Sequence, residues 1–228
     1  MGKKLIVCNW KMNKPTVGVD SYISSLKHTN VIVLPPSPYF HQLNNYPITI
    51  GAQCISAHTS GSYTGELSAD IAASAGCQYT LIGHSERRTH WHESRHQLSE
   101  QYQRALEHNI TPIICLGETE EQRRAGESET VINEQIDSFR PLINFDQLIF
   151  AYEPVWAIGS KQAASTDAVE HIHSLIKSQT HSNTPVLYGG SVDLTNCTDF
   201  LNSQWVDGLL IGRASLDINI INQIASLC

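Results

Sequence analysis

The 228-residue sequence lacks the features by which several large classes of protein are recognised. No apolar run is long enough to span a membrane, and no basic run offsets the formal net charge of -7. An acidic chain of this kind repels nucleic acid and anionic lipid. We therefore expect no nucleic-acid or membrane partner, and an anionic ligand has to be held by local groups.

The sequence also lacks any CxxC pair and any recognisable signal peptide. Its six cysteines are widely spaced: Cys8, Cys54, Cys77, Cys115, Cys197 and Cys228. Reduced thiols fit this pattern best, because disulfides are rare in the reducing cytosol. We expect a cytoplasmic protein.

No compositional break or low-complexity segment marks a linker. The composition, 41% hydrophobic and 16% charged, is that of an ordinary globular protein. A chain of this length forms one large domain or two small ones, and one domain over residues 1–228 is the preferred interpretation.

Eight short apolar runs are present, and each has the length of a strand. They cover residues 5–10, 31–36, 48–53, 79–84, 112–118, 148–154, 185–190 and 206–212. Segments with helical spacing or helix-forming composition lie between them, such as SYISSLKH, SRHQLSEQYQRALEH, INEQIDSF and AVEHIHSLIK. Eight alternating strand and helix units predict an α/β fold, a single-domain (β/α)8 barrel. A doubly wound open sheet is the competing fold, but no GxGxxG follows the first strand.

Polar residues lie at or just past the ends of several of these runs, where the active site of a barrel would be. They are Asn9, Lys11, Gln53, His84, Glu153 and Ser191. Glu153 is the most informative, since it comes where the buried run LIFA (148–151) ends and is followed by proline. Taken singly, Lys11 is most often a solvated cation and His84 a structural histidine. Together on one rim, these groups suit proton abstraction next to a carbonyl, which requires no metal.

Glycines occur in the last two runs. Gly189 and Gly190 precede Ser191, while Gly208 and Gly212 flank the eighth strand. Such pairs are usually only turns. In a barrel, however, the loops after strands seven and eight often bind phosphate, so their position favours a phosphate site.

Six motifs occur in order from end to end: NWKMN (9–13), GSYTGE (61–66), GHSERR (83–88), AYEPVWAIG (151–159), YGGSV (188–192) and DGLLIGRASL (207–216). Together they resemble the triosephosphate isomerase family. The resemblance implies a cofactor-independent isomerase of glycolysis and gluconeogenesis. Its reaction interconverts dihydroxyacetone phosphate and D-glyceraldehyde 3-phosphate through an enediol(ate).

The resemblance also implies roles for residues at matching positions. Glu153 is implied to be the base, His84 a neutral electrophile, Lys11 a cation and Asn9 a group that positions substrate oxygens. Backbone N–H groups of Gly159, Ser191, Gly212 and Arg213 are implied to hold the phosphate, under a lid formed by residues 154–164.

A homodimer is implied as well. Thr64 would lie near Asn9 and Lys11 of the partner subunit, while Ser85, Glu86 and Arg87 would support the site or lie at the interface. Lys161 and Gln162 at the lid tip, and Arg213 in place of a common glycine, depart from the family pattern.

Two alternatives remain. His92, Glu93 and His96 fit the HExxH pattern of zinc peptidases, which requires both histidines on one helix face. A non-catalytic barrel that serves as a scaffold is the other alternative.

Overall fold

A computed structural model of the chain describes residues 3–140, 145–159 and 163–228. Within these ranges, eight parallel strands form a closed barrel in the order β1 to β8. The strands are β1 (Leu5–Asn9), β2 (Val31–Leu34), β3 (Thr49–Ala52), β4 (Cys77–Ile82), β5 (Thr111–Leu116), β6 (Ile149–Tyr152), β7 (Val186–Tyr188) and β8 (Gly208–Ile211). All eight predicted strands and the (β/α)8 barrel are confirmed, and the open-sheet alternative is wrong because β8 pairs with β1.

Helices connect the strands and pack around the barrel. They are α1 (Val19–Ser24), α2 (Phe40–Leu43), α3 (Ala69–Ser74), α4 (Ser85–Trp91), α5 (Arg95–Glu107), α6 (Glu120–Arg124), α7 (Ser128–Asp137), α8 (Thr166–Gln179), α9 (Cys197–Asn202) and α10 (Ile218–Ala225). The four helical segments predicted from sequence correspond to α1, α5, α7 and α8. None of the described helices is both long and apolar enough to cross a membrane.

The connections after β1 and β2 contain only short α-helices. Helix α1 has 6 residues and α2 has 4, compared with 14 in α8. This agrees with the small amount of sequence between the first and third predicted strands.

The strands read as continuous apolar runs because both of their faces are buried. One core fills the barrel interior with side chains such as Val7, Ile113 and Leu210. A second, larger core lies between the strands and the helices and includes Ile6, Cys8 and Tyr102. Successive side chains of β1 therefore alternate between the two cores. With both faces occupied, polar side chains are left to the strand ends.

Candidate active site

A cavity of about 570 Å³ opens at the carboxyl ends of the strands. All eight residues expected to act on substrate or hold its phosphate line it: Asn9, Lys11, His84, Glu153, Gly159, Ser191, Gly212 and Arg213. They come from the ends of β1, β4, β6, β7 and β8, which are remote in sequence. Closure of the barrel brings these strand ends to one rim.

Glu153 and His84 face each other in the floor of the cavity. Glu153 is 3% exposed and His84 4% exposed, and Nε2 of His84 lies 3.2 Å from Oε1 of Glu153. Burial raises the pKa of the Glu153 carboxyl, but the neighbouring imidazole, Lys11 and the Cys115 thiol outweigh burial and hold that pKa below its usual value. Glu153 is therefore ionised at neutral pH, as a proton acceptor must be.

His84 caps helix α4, with its Nδ1 accepting the N–H of Glu86 at 3.2 Å. A nitrogen that accepts this bond carries no proton, so the neutral ring has its proton on Nε2, directed at Glu153. Burial lowers the pKa of His84, but the Glu153 carboxylate raises it, and the net shift is upward. The helix end thus favours the neutral ring, and the adjacent carboxylate opposes it.

Lys11 reaches the cavity from a strained backbone position. Its φ is 52°, in the left-handed region that is uncommon for residues other than glycine. Its N–H donates to Oδ1 of Asn9 at 3.0 Å, and Nε2 of Gln53 donates to its carbonyl at 2.8 Å. Its Nζ lies 2.7 Å from Oε1 of Glu86. The cation is therefore held at the rim together with a carboxylate partner.

Strand β7 and the loop after it contact two described parts of the expected lid. The hydroxyl of Ser191 donates to the carbonyl of Ala157 at 2.7 Å, and the N–H of Ala164 donates to the Tyr188 hydroxyl at 3.1 Å. Gly190 makes room for that hydroxyl, because a Cβ at this residue would lie 2.0 Å from it. Lys161 and Gln162 lie outside the described residues, so their effect on the lid stays a prediction.

Comparison with known proteins agrees with this geometry. The profile of the triosephosphate isomerase family matches residues 4–228. The chain belongs to the triosephosphate isomerase family. Curated triosephosphate isomerases similar to it include that of Colwellia psychrerythraea, 37% identical with 93% of this chain and 92% of the relative covered. Those of Ralstonia nicotianae (38% identical, 93% and 94% covered) and Cupriavidus necator (36% identical, 95% and 96% covered) are also similar.

Of the residues expected to support the site or lie at the interface, Ser85 begins α4 and Glu86 contacts Lys11. Arg87 donates from Nε to Oε1 of Glu93 at 2.9 Å and lies over the Trp91 ring, 4.8 Å from its centroid. Thr64 is exposed in the GSYTGE loop, away from the cavity of its own chain.

The sequence analysis did not predict two buried or partly buried residues around the site, Glu118 and Arg88. Glu118 is 1% exposed after β5 and accepts hydrogen bonds from the Tyr152 hydroxyl at 3.2 Å and from Nε1 of Trp156 at 2.9 Å. Arg88 donates to the carbonyls of Gly83 (2.7 Å) and Cys115 (2.6 Å). The sequence could have indicated Glu118, since it lies at the end of an apolar run as Glu153 does. It could not have indicated Arg88, because the atoms that accept its hydrogen bonds belong to the backbone.

The zinc-peptidase alternative is not favoured by the geometry. His92 ends α4 with a φ of 53°, and α5 begins only at Arg95, so His92 and His96 do not share a helix. The carboxylate of Glu93 is held by Arg87 and by Nε2 of Gln101 at 3.1 Å. Nowhere in the described ranges do three or more His, Cys, Asp or Glu side chains form a group suited to a metal ion.

Proposed function

We propose that this triosephosphate isomerase family member interconverts dihydroxyacetone phosphate and D-glyceraldehyde 3-phosphate by proton transfer. The proposal rests on one observation above all: the buried carboxyl of Glu153 faces His84 in a cavity that Lys11 and Asn9 also line. A base, a hydrogen-bond donor and a cation are the groups that enolisation next to a carbonyl requires. The mechanism needs no cofactor or metal.

In this mechanism Glu153 removes a proton from one carbon of the triose phosphate and returns it to the neighbouring carbon. The Nε2–H of His84 donates to the carbonyl oxygen, on which negative charge develops. Lys11 and the amide of Asn9 stabilise and orient the same oxygens. The buried position of Glu153 strengthens these interactions, because charges interact more strongly away from water.

We propose that the loops after β6, β7 and β8 hold the phosphate. We assign its backbone donors to Gly159, Ser191, Gly212 and Arg213, which line the same cavity as Glu153 and His84. We assign the lid to residues 154–164. Its described residue Ala157 contacts Ser191 in the loop after β7, and Ala164 contacts Tyr188 at the end of β7. A closed lid would keep water from the enediolate and so limit loss of phosphate from it.

A coupled assay of purified protein, with Glu153→Gln as the test variant, decides this proposal. Loss of a positioned general base is expected to lower kcat by about 10²- to 10⁴-fold. Glu129→Gln is a matched control, because Glu129 is exposed and pairs with His171 on the outer helices. Undiminished turnover in Glu153→Gln refutes the role of the base. No turnover in the native protein favours the non-catalytic scaffold instead.

We also propose that the protein is a homodimer. Large apolar side chains are exposed in the connections that follow β1, β3 and β4: Met12 (95%), Val17 (56%), Tyr63 (45%) and Trp91 (61%). Thr64 is exposed next to Tyr63 in the connection after β3, and we expect it to approach Asn9 and Lys11 of the partner subunit. Sedimentation should give twice the 25.3 kDa chain mass. Full activity in a dilute, demonstrably monomeric sample would contradict the arrangement.

The single-domain organisation over residues 1–228 and a cytoplasmic location complete the proposal. All six cysteines are free thiols, which fits a reducing compartment. Fractionation of cells followed by immunodetection tests the location.

A further inference from the structure

The charged side chains that line the active-site cavity are mostly acidic. Two are cationic, Lys11 and Arg213, and three are carboxylates, Glu153, Asp193 and Asp217. A phosphate ester carries a charge of about -1.5 to -2 at neutral pH. The walls of this cavity therefore repel the proposed substrate unless a cation is placed against its phosphate.

Lys11 supplies only part of that charge. Its ammonium lies 2.7 Å from Oε1 of Glu86, so a carboxylate already compensates it. The acidic groups at the mouth are held in place by their own loops: Asp193 accepts the N–H of Thr195 at 2.8 Å, and Asp217 accepts the N–H of Asn219 at 2.9 Å. Their negative charges stay at the mouth of the cavity.

Arg213 differs from Lys11 because it has no carboxylate within ion-pairing distance in the described part of the chain. It is exposed and is the first residue of the 3-10 turn Arg213–Leu216, directly after β8. That turn is anchored to the barrel, since the Tyr22 hydroxyl donates to the Ser215 carbonyl at 2.6 Å. The backbone at Arg213 is thus fixed at the cavity wall, while its side chain remains available.

We infer that the Arg213 guanidinium binds the substrate phosphate and supplies the cation that the cavity mouth otherwise lacks. The inference deepens the proposed function, on which it rests, by adding a side-chain contact to the backbone donors. Guanidinium matches phosphate oxygens with two parallel N–H donors, and an unpaired cation at an acidic mouth also speeds the encounter with an anion. Arg213 accordingly determines substrate affinity, and it does not take part in proton transfer.

Arg213→Gln tests this role in the purified enzyme. We expect KM to rise about three- to tenfold, within the range for a charged contact that water partly screens, while kcat changes little. The inhibition constant of inorganic phosphate should rise by a similar factor. The decline of kcat/KM with added salt should become shallower, because long-range attraction to a cation is screened. Arg213→Lys should restore part of each effect.

Arg140→Gln is the control, since it removes the same charge from an exposed residue just beyond the C-terminal end of α7. If Arg140→Gln shifts KM and the phosphate constant as much as Arg213→Gln does, only net charge matters and the inference is wrong. Unchanged values in Arg213→Gln also overturn it.

Direct calorimetric titration with inorganic phosphate separates this inference from the proposed function. Weaker phosphate binding in Arg213→Gln than in the native protein supports the inference even if no isomerase turnover is found. Normal turnover with equal phosphate binding in both proteins refutes the inference and leaves the isomerase proposal intact.

Discussion

Gly189→Ala should disable the base although Glu153 itself is unchanged. A Cβ on residue 189 would lie 2.7 Å from Cγ of Glu153 and 3.4 Å from its Oε1. The first distance is about 0.7 Å below the 3.4 Å at which ordinary carbon contacts begin, and Glu153 is too tightly enclosed to move freely. Either the carboxylate or the β7 loop must shift by most of an ångström.

A shift of about 1 Å in a catalytic group typically lowers the rate about 10²-fold, which corresponds to a rise of about 2.7 kcal/mol in the activation free energy. Overpacking should also lower the free energy of unfolding by about 1 to 3 kcal/mol. We therefore expect kcat to fall about a hundredfold in protein that remains folded at 25 °C, as measured by the coupled assay and by urea unfolding.

A double-mutant cycle with Glu153→Gln identifies the cause. If the alanine acts only through Glu153, adding Gly189→Ala to Glu153→Gln lowers kcat no further. Full additivity of the two effects would refute displacement of the base, as would native kcat in Gly189→Ala alone.

Three further predictions follow from buried contacts. Tyr188→Phe removes the acceptor of the Ala164 N–H and should lower kcat/KM about three- to tenfold, through loss of one hydrogen bond to the lid. Glu118→Gln weakens the bond from Nε1 of Trp156 and should lower the free energy of unfolding by about 1 to 3 kcal/mol, measured in urea. Burial lowers the pKa of His173 to about 4, so the unfolded chain binds its proton first as the pH falls below about 6.5; stability should decline from pH 6.5 to pH 4, by up to about 3 kcal/mol from this group.

Each of these predictions has a result that would contradict it. Native kcat/KM in Tyr188→Phe would mean that the bond to the lid is irrelevant to turnover. For Glu118, the exposed Glu129→Gln should leave stability within about 0.5 kcal/mol of native, and an equal loss in both variants would contradict the argument. For His173, a Gln variant should flatten the pH dependence, and a slope identical to that of the native protein would exclude the histidine as its source.

The sequence identified the strands well because each is buried on both faces and reads as a continuous apolar run. The runs predicted at 5–10 and 148–154 contain β1 and β6, with Asn9 and Glu153 at or just past their ends. Local patterns predicted the structure less well where the chain turns. The HExxH spacing suggested one helix face, but the left-handed conformation of His92 ends α4 before the pattern is complete.

By itself, then, the sequence determined where polar groups interrupt buried strands, since that depends only on local order along the chain. Family motifs supplied the expected roles of those groups. Only the tertiary structure decided which groups face each other: His84 with Glu153, Glu86 with Lys11, and Glu118 with Trp156. The physical reason is closure of the barrel, which brings groups 38 to 75 residues apart within hydrogen-bond distance. It so fixes which charges are paired and which, like that of Arg213, have no carboxylate partner among the described residues.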